Sequence, residues 1–240
     1  MQRPSPHLVS VRFTGSDLQD FISASFDDHL KLMLPADPDA PLVLPEPGPD
    51  GLAPPPGAQR PIMRDYTPRR FDAASGTLEL EFALHGSGIA ATWAAQARPG
   101  QEVGVGGPRG SFVVPTGFQW HLLVGDETAL PAIARRLEEL PAGAQAMVVA
   151  ETADIADRRD LRSRADLSVL WLAEGESGGL AAAVAAWQRP QGEGYAWAAG
   201  EAADMAATRR VLTEQHGMAK ERMRVAAYWK RGASAHHENL

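Results

Sequence analysis

Strict alternation of apolar and polar residues marks the strands in the first half of the chain. Leu8 to Thr14 alternates and stops at Gly15, His29 to Leu34 alternates and stops at Pro35, and Thr77 to Ala83 alternates without a break. A period of two is that of a strand with one buried face. Glu102 to Val105 and Ser111 to Val114 read as closing strands around Gly106, Gly107, Pro108 and Gly110, while Asp17 to Ser25 and Ala90 to Ala97 read as short helices. Short strands joined by glycine turns predict a small antiparallel β-barrel ending near Pro115.

The pattern changes after Gln119. Apolar runs at Trp120 to Val124, Ala146 to Ala150, Leu167 to Leu172, Tyr195 to Ala199 and Val225 to Trp229 alternate with helical segments at Thr128 to Leu140, Leu180 to Trp187 and Ala203 to Gln215. Strands and helices in alternation imply a parallel sheet flanked by helices. The predicted fold class is therefore a two-domain α+β protein, with the β-barrel over residues 1–116 and an α/β nucleotide-binding domain over 117–240. Residues 35–61, rich in Pro and Gly, read as an exposed loop or mobile insertion.

Composition narrows the chemistry. A formal net charge of −7 offers no general basic face for nucleic acid or an anionic membrane. With no cysteine in the chain, disulfides, thiolate metal sites, iron–sulfur ligation and cysteine nucleophiles are excluded together. Any electrons must travel on an organic cofactor or on the substrate. The N-terminus lacks a signal-peptide core and no run of about 18 apolar residues occurs, so a cytoplasmic protein is expected.

The segment Ile62 to Arg69, Ile-Met-Arg-Asp-Tyr-Thr-Pro-Arg, carries the densest chemistry. On a strand, Arg64 and Tyr66 share one face while Asp65 and Thr67 share the other. An arginine fork grips a diphosphate, a phenol ring packs on a planar ring system, and a threonine hydroxyl bonds a ring nitrogen; the same residues also suit a half-buried strand with solvated arginines. The turn Gly125-Asp126-Glu127-Thr128 opens a helix after a strand, where backbone N–H groups receive nucleotides, although Asp126 or Thr128 serves equally well as its N-cap. Gly86-Ser87-Gly88 is a second junction of this kind. Glu151, at a strand end, suits ribose hydroxyls, whereas Arg158, Arg159, Arg162 and Arg164 suit a 2′-phosphate. The adjacent His236 and His237 are assigned no metal.

Arg64, Tyr66, Thr67 and Arg69 fit the Arg-x-Tyr-Thr-x-Arg signature of the siderophore-interacting proteins, a flavin-dependent branch of the ferredoxin-reductase-like superfamily. His85 to Ala94, Gly125 to Leu140, Trp197 to Glu201 and the tail Tyr228-Trp229-Lys230-Arg231-Gly232 resemble the same family in the same order. The resemblance implies FAD, NADPH or NADH as donor with ferredoxin as the alternative, and a ferric siderophore as substrate. It implies that Arg64 and Arg69 belong to the flavin site, with Arg64 on the diphosphate, Tyr66 on the ring and Thr67 at its edge. By the same resemblance His85, Gly88, Ala91 and Thr92 lie near the flavin. It also sets Asp126 and Thr128 at a nucleotide turn, Gly200 and Glu201 near the nicotinamide, and Lys230 and Arg231 against the substrate. No side chain is expected to act as general acid or base. A ferredoxin-fed or free-flavin reductase and a non-catalytic siderophore-binding protein are the alternatives.

Overall fold

A computed structural model describes the chain except residues 38–39, 49–50, 85–87, 177 and 234–237. The first half runs β1 (Gln2–Ser5), β2 (Leu8–Thr14), β3 (Leu30–Leu34), β4 (Glu46–Gly48), β5 (Gly51–Ala53), β6 (Ile62–Tyr66), β7 (Arg70–Asp72), β8 (Thr77–Ala83), α1 (Ile89–Gln96) and β9 (Gly104–Gly106). Two antiparallel sheets, ordered β1-β2-β8-β7 and β6-β3-β9, enclose the core. Leu30, Leu32 and Leu34 of β3 face Leu78, Leu80 and Phe82 of β8, all buried. Each such side chain contributes about 1.5–3 kcal/mol by leaving water.

The second half runs β10 (Trp120–Gly125), α2 (Leu130–Glu139), β11 (Gln145–Thr152), β12 (Asp166–Ala173), α3 (Gly179–Ala186), β13 (Gly194–Glu201), α4 (Ala202–Glu214), β14 (Met223–Trp229) and β15 (Glu238–Asn239). The sheet order is β12-β11-β10-β13-β14-β15, parallel through β14 and antiparallel at β15. Every residue of central β10 is buried, because helices cover both faces. Leu123 packs with Ile133 and Leu137 of α2, while Leu122 and Val124 pack with Leu180 of α3 and Leu212 of α4. The two-domain α+β architecture expected from the sequence is present.

Three local expectations are corrected. The helix expected over Asp17 to Ser25 is only a 3-10 turn at Ser16–Leu18. Polar groups further along this stretch are used elsewhere: Ser23 Oγ and Ser25 N donate to Asp28, and Ser25 Oγ donates to the Phe112 carbonyl. For the same reason Ser111 to Val114 forms no strand, since side chains rather than a backbone ladder hold it. Residues 46–53 of the proline-rich segment form the paired β4 and β5, and Leu44 packs so closely on β9 that a Cβ on Gly104 would meet it at 2.4 Å.

The halves are tied by charge. Arg69 holds Glu138 of α2 at 2.6 and 3.2 Å. Arg159 forks onto Glu81 of β8 at 3.1 and 2.8 Å. Glu81 is thereby buried on what the alternation marks as the polar face of β8. Arg135 donates to the carbonyls of Ser23 and Pro68, and the backbone N–H of His7 donates to Asp157 at 2.8 Å. The Asp157 carboxylate, hydrogen-bonded to the imidazole and attracting its charge, raises the His7 pKa above its ordinary value.

Candidate functional site

A cleft enclosing about 670 Å3, counted out to its open mouth, lies between the halves. His29, Asp65, Tyr66 and Thr67 line one wall and Glu127, Thr128, Pro131 and Tyr228 the other. Tyr66 ends β6 with its ring 4.4 Å from that of Phe82. Asp65 and Thr67 line the cleft together with Tyr66, so the two-face alternation expected for this segment breaks down where the strand ends, before Pro68. Arg64 is half-buried outside the lining, with Nη1 donating to the Met63 carbonyl at 2.8 Å. Burial raises the Tyr66 and Tyr228 phenols well above their ordinary value, so both stay protonated and neutral.

The wall from the second half is built by the C-terminal ends of the parallel strands. Asp126 follows β10, and its carboxylate meets four donors. Oδ1 accepts from Thr128 N and Thr128 Oγ1 at 2.9 and 2.5 Å, while Oδ2 accepts from Glu201 N at 3.0 Å and Trp229 Nε1 at 2.7 Å. Gly200 has a φ of 156°, and a Cβ there would lie 2.7 Å from Asp126 Oδ2; glycine is what lets the two strand ends close on one carboxylate.

Glu201 ends β13 and caps α4, its Oε2 accepting from Ala203 N and Asp204 N at 2.5 and 3.3 Å. Its Oε1 accepts from Arg231 N at 3.1 Å. Burial would raise this carboxyl, but hydrogen bonds from the N–H groups of Arg231, Ala203 and Asp204 hold it below its ordinary range. Glu151 at the end of β11 behaves oppositely. Burial, followed by the charges of Asp204, Asp126, Glu174 and Glu127, pushes it up to about 7.

Tyr228 joins the cleft to a buried cluster. Its hydroxyl donates to Asp27 Oδ1 at 3.4 Å, and Trp197 Nε1 donates to the same oxygen at 2.8 Å. Asp27 Oδ2 pairs with Arg224. Arg224 in turn lies 4.9 Å from the centre of the exposed Phe112 ring.

The structure therefore brings Tyr66, Thr67 and Thr128 into one cleft and sets Asp126, Gly200 and Glu201 beside it. Arg69 lies outside the lining, engaged by Glu138 and Glu81. Gly88 precedes α1 as its N-cap, Ala91 is buried, Thr92 is exposed, and none of the three lines the cleft. Of the arginines after Glu151, Arg159 is spent on Glu81, whereas Arg162 and Arg164 are exposed. Lys230 and Arg231 are exposed, with Arg231 5.9 Å from the Trp229 ring. The expected positions of His85, His236 and His237 fall outside the described residues. Sequence reasoning missed His29 and Asp27, which sit in a loop with no motif around them.

Two family profiles match the chain: "Siderophore-interacting FAD-binding domain" over residues 1–112 and "Siderophore-interacting protein" over residues 118–232. An NADPH-dependent ferric-chelate reductase of Escherichia coli K12 is 37% identical over 233 residues, covering 95% of this chain and 89% of that protein. The ferric vibriobactin reductase ViuB of Vibrio cholerae is 32% identical over 242 residues, covering 98% and 89%. Among solved structures, a siderophore utilization protein from T. fusca superposes with a TM-score of 0.89 at 37% identity, covering 98% of this chain and 91% of that one.

Proposed function

The chain belongs to the siderophore-interacting protein family, and from that premise we propose that it is an FAD-dependent reductase. In this reading it takes electrons from NADPH in the cytoplasm and passes them to the iron of a ferric siderophore. The observation that carries the reading is the interdomain cleft, where an aromatic ring and a hydroxyl from β6 and its end face a second phenol from β14. The residues present fit a flavin. Tyr66 supplies an apolar wall and Thr67 a hydroxyl at the ring edge. Arg64 has guanidinium donors beyond the one given to Met63 with which to meet a diphosphate. Of the three lining acids, Asp65 is paired with Lys31 and Glu81 with Arg159, while Glu127 accepts from the Ala153 N–H.

Bound FAD would supply the redox chemistry, accepting a hydride from the nicotinamide and releasing electrons singly to Fe(III). The protein's share is positioning. Phenols held neutral keep negative charge off the ring wall, and no side chain needs to move a proton. Oxygen ligands hold Fe(II) far less tightly than Fe(III), so reduction alone loosens the metal. We place the domain boundary near residue 116. Arg69, committed to Glu138, supports the segment after β6 in place of contacting the cofactor. Gly88, Ala91 and Thr92, which lie outside the cleft lining, are assigned to the flavin diphosphate end.

Lys230 and Arg231 are assigned to the substrate, because an anionic ferric complex approaching a chain of net charge −7 needs a local basic patch. Exposed charges of this kind are worth about 0.2–1 kcal/mol each. K230A/R231A is therefore expected to raise KM for an anionic ferric siderophore about two- to thirtyfold, with flavin content unchanged and the effect shrinking at high salt. Steady-state kinetics at two ionic strengths checks this, and an unchanged KM removes both residues from the substrate site.

A further inference from the structure

The turns that receive nucleotide phosphates in many parallel sheets are filled here by the protein's own carboxylates. Asp126, Glu201 and Asp27 are only 6%, 7% and 7% exposed. All three reach the same short stretch of chain: Asp27 holds Arg224 and Tyr228, Asp126 holds Trp229, and Glu201 holds the backbone N–H of Arg231. The register supports the convergence. Gly200 pairs with Ala227 but Glu201 pairs with Trp229, leaving Tyr228 as an extra residue in β14. Bulges of this kind re-aim side chains at the end of a strand. Here the extra residue lines the cleft while its neighbour is bonded to Asp126.

We infer that Asp126 and Glu201 are positioning residues for the basic tail, fixing Trp229 to Arg231 so that the Lys230 and Arg231 cations stand beside the cleft. The inference deepens the proposed function and rests on its assignment of those cations to the substrate. Both acids act through the tail and need touch neither cofactor nor substrate.

Chemistry singles out a clean variant. All four groups meeting Asp126 are donors, so an asparagine there must turn its NH2 toward two of them. Glu201 differs, since one oxygen serves the helix cap and the other serves only Arg231. In Glu201→Gln the amide oxygen keeps the cap and the NH2 faces the Arg231 N–H, so the bond to the tail is lost together with the carboxylate's charge; loss of that charge alone would favour an anionic ligand, so weaker binding reports the lost bond. Loss of one such bond is expected to weaken ligand binding about three- to tenfold.

The test is a double-mutant cycle read as the Kd of the anionic gallium(III) tris-catecholate complex, which matches the ferric complex in charge but cannot be reduced. The full chain is used in four forms: native, E201Q, K230A/R231A, and all three substitutions together. The account expects E201Q and K230A/R231A each to weaken binding, and the combination to bind no worse than K230A/R231A alone, because the carboxylate acts only through the tail. If K230A/R231A weakens binding while E201Q does not, or if the two effects simply add, the positioning role is overturned and the substrate assignment stands. If K230A/R231A binds like the native chain, the substrate assignment fails and the inference fails with it.

Discussion

An Asp27→Ala variant is expected to lose about 3–5 kcal/mol of folding stability, the range for removing one partner of a buried ion pair. The Asp27 side chain is only 3% exposed and is paired with Arg224, whose own side chain is 25% exposed. It also accepts from the fully buried Trp197 indole at 2.8 Å. Truncation leaves a guanidinium and an indole N–H facing space that water reaches poorly, and each unmet donor costs free energy. Denaturant unfolding gives the loss directly. Replacing Arg224 by Met in the same chain should recover part of it, because the uncompensated charge is then gone. A loss within about 0.5 kcal/mol, the scale of an ordinary surface change, would contradict the account of this cluster.

Gly125→Ala is expected to cost about 3 kcal/mol, the upper end for overpacking a core. Gly125 closes the central strand β10, flanked in register by Ala150 and Ala199. A Cβ there would lie 2.4 Å from both the Ala129 Cβ and the Ala199 carbonyl oxygen, neither of which sits on a flexible side chain that can swing away. The displaced backbone would carry Asp126 with it and so disturb the four-donor cluster beside the cleft. Gly143 provides the comparison: its φ is 87° but nothing lies within 4 Å of an added Cβ, so Gly143→Ala should cost only about 1–2 kcal/mol, for its left-handed backbone alone. Equal losses for the two variants would mean that the crowding at the end of β10 is not what requires glycine.

Much of the fold is legible from local patterns. Unbroken alternation in Thr77 to Ala83 and the apolar run Trp120 to Val124 mark β8 and β10 because each obeys the period its burial demands. The cleft residues Tyr66 and Thr67 and the tail Tyr228 to Arg231 are legible through short motifs. What escapes is long-range pairing between polar groups. Asp27 meets Trp197 and Tyr228 across 170 and 201 residues of chain, and nothing in the sequence near Asp27 announces either. Glu81 occupies a polar position of an alternating strand, yet it is buried because Arg159 arrives from the other half. Arg69 likewise has the look of a ligand-binding arginine, and Glu138 claims it. The serines at positions 23 and 25 are drawn out of a helix by Asp28, Arg135 and the Phe112 carbonyl, partners far from them in sequence or unannounced by it.

The central claim is that the cleft between Tyr66 and Tyr228 holds a flavin that connects NADPH to ferric iron. Its most direct test is the anaerobic visible spectrum of the purified protein, before and after NADPH and again after a ferric siderophore. The account predicts a flavin band that bleaches on adding NADPH and returns on adding the ferric complex, with Fe(II) appearing as it does so. A protein that is colourless and cannot be reconstituted with FAD, or a flavin band that NADPH leaves untouched, would contradict it.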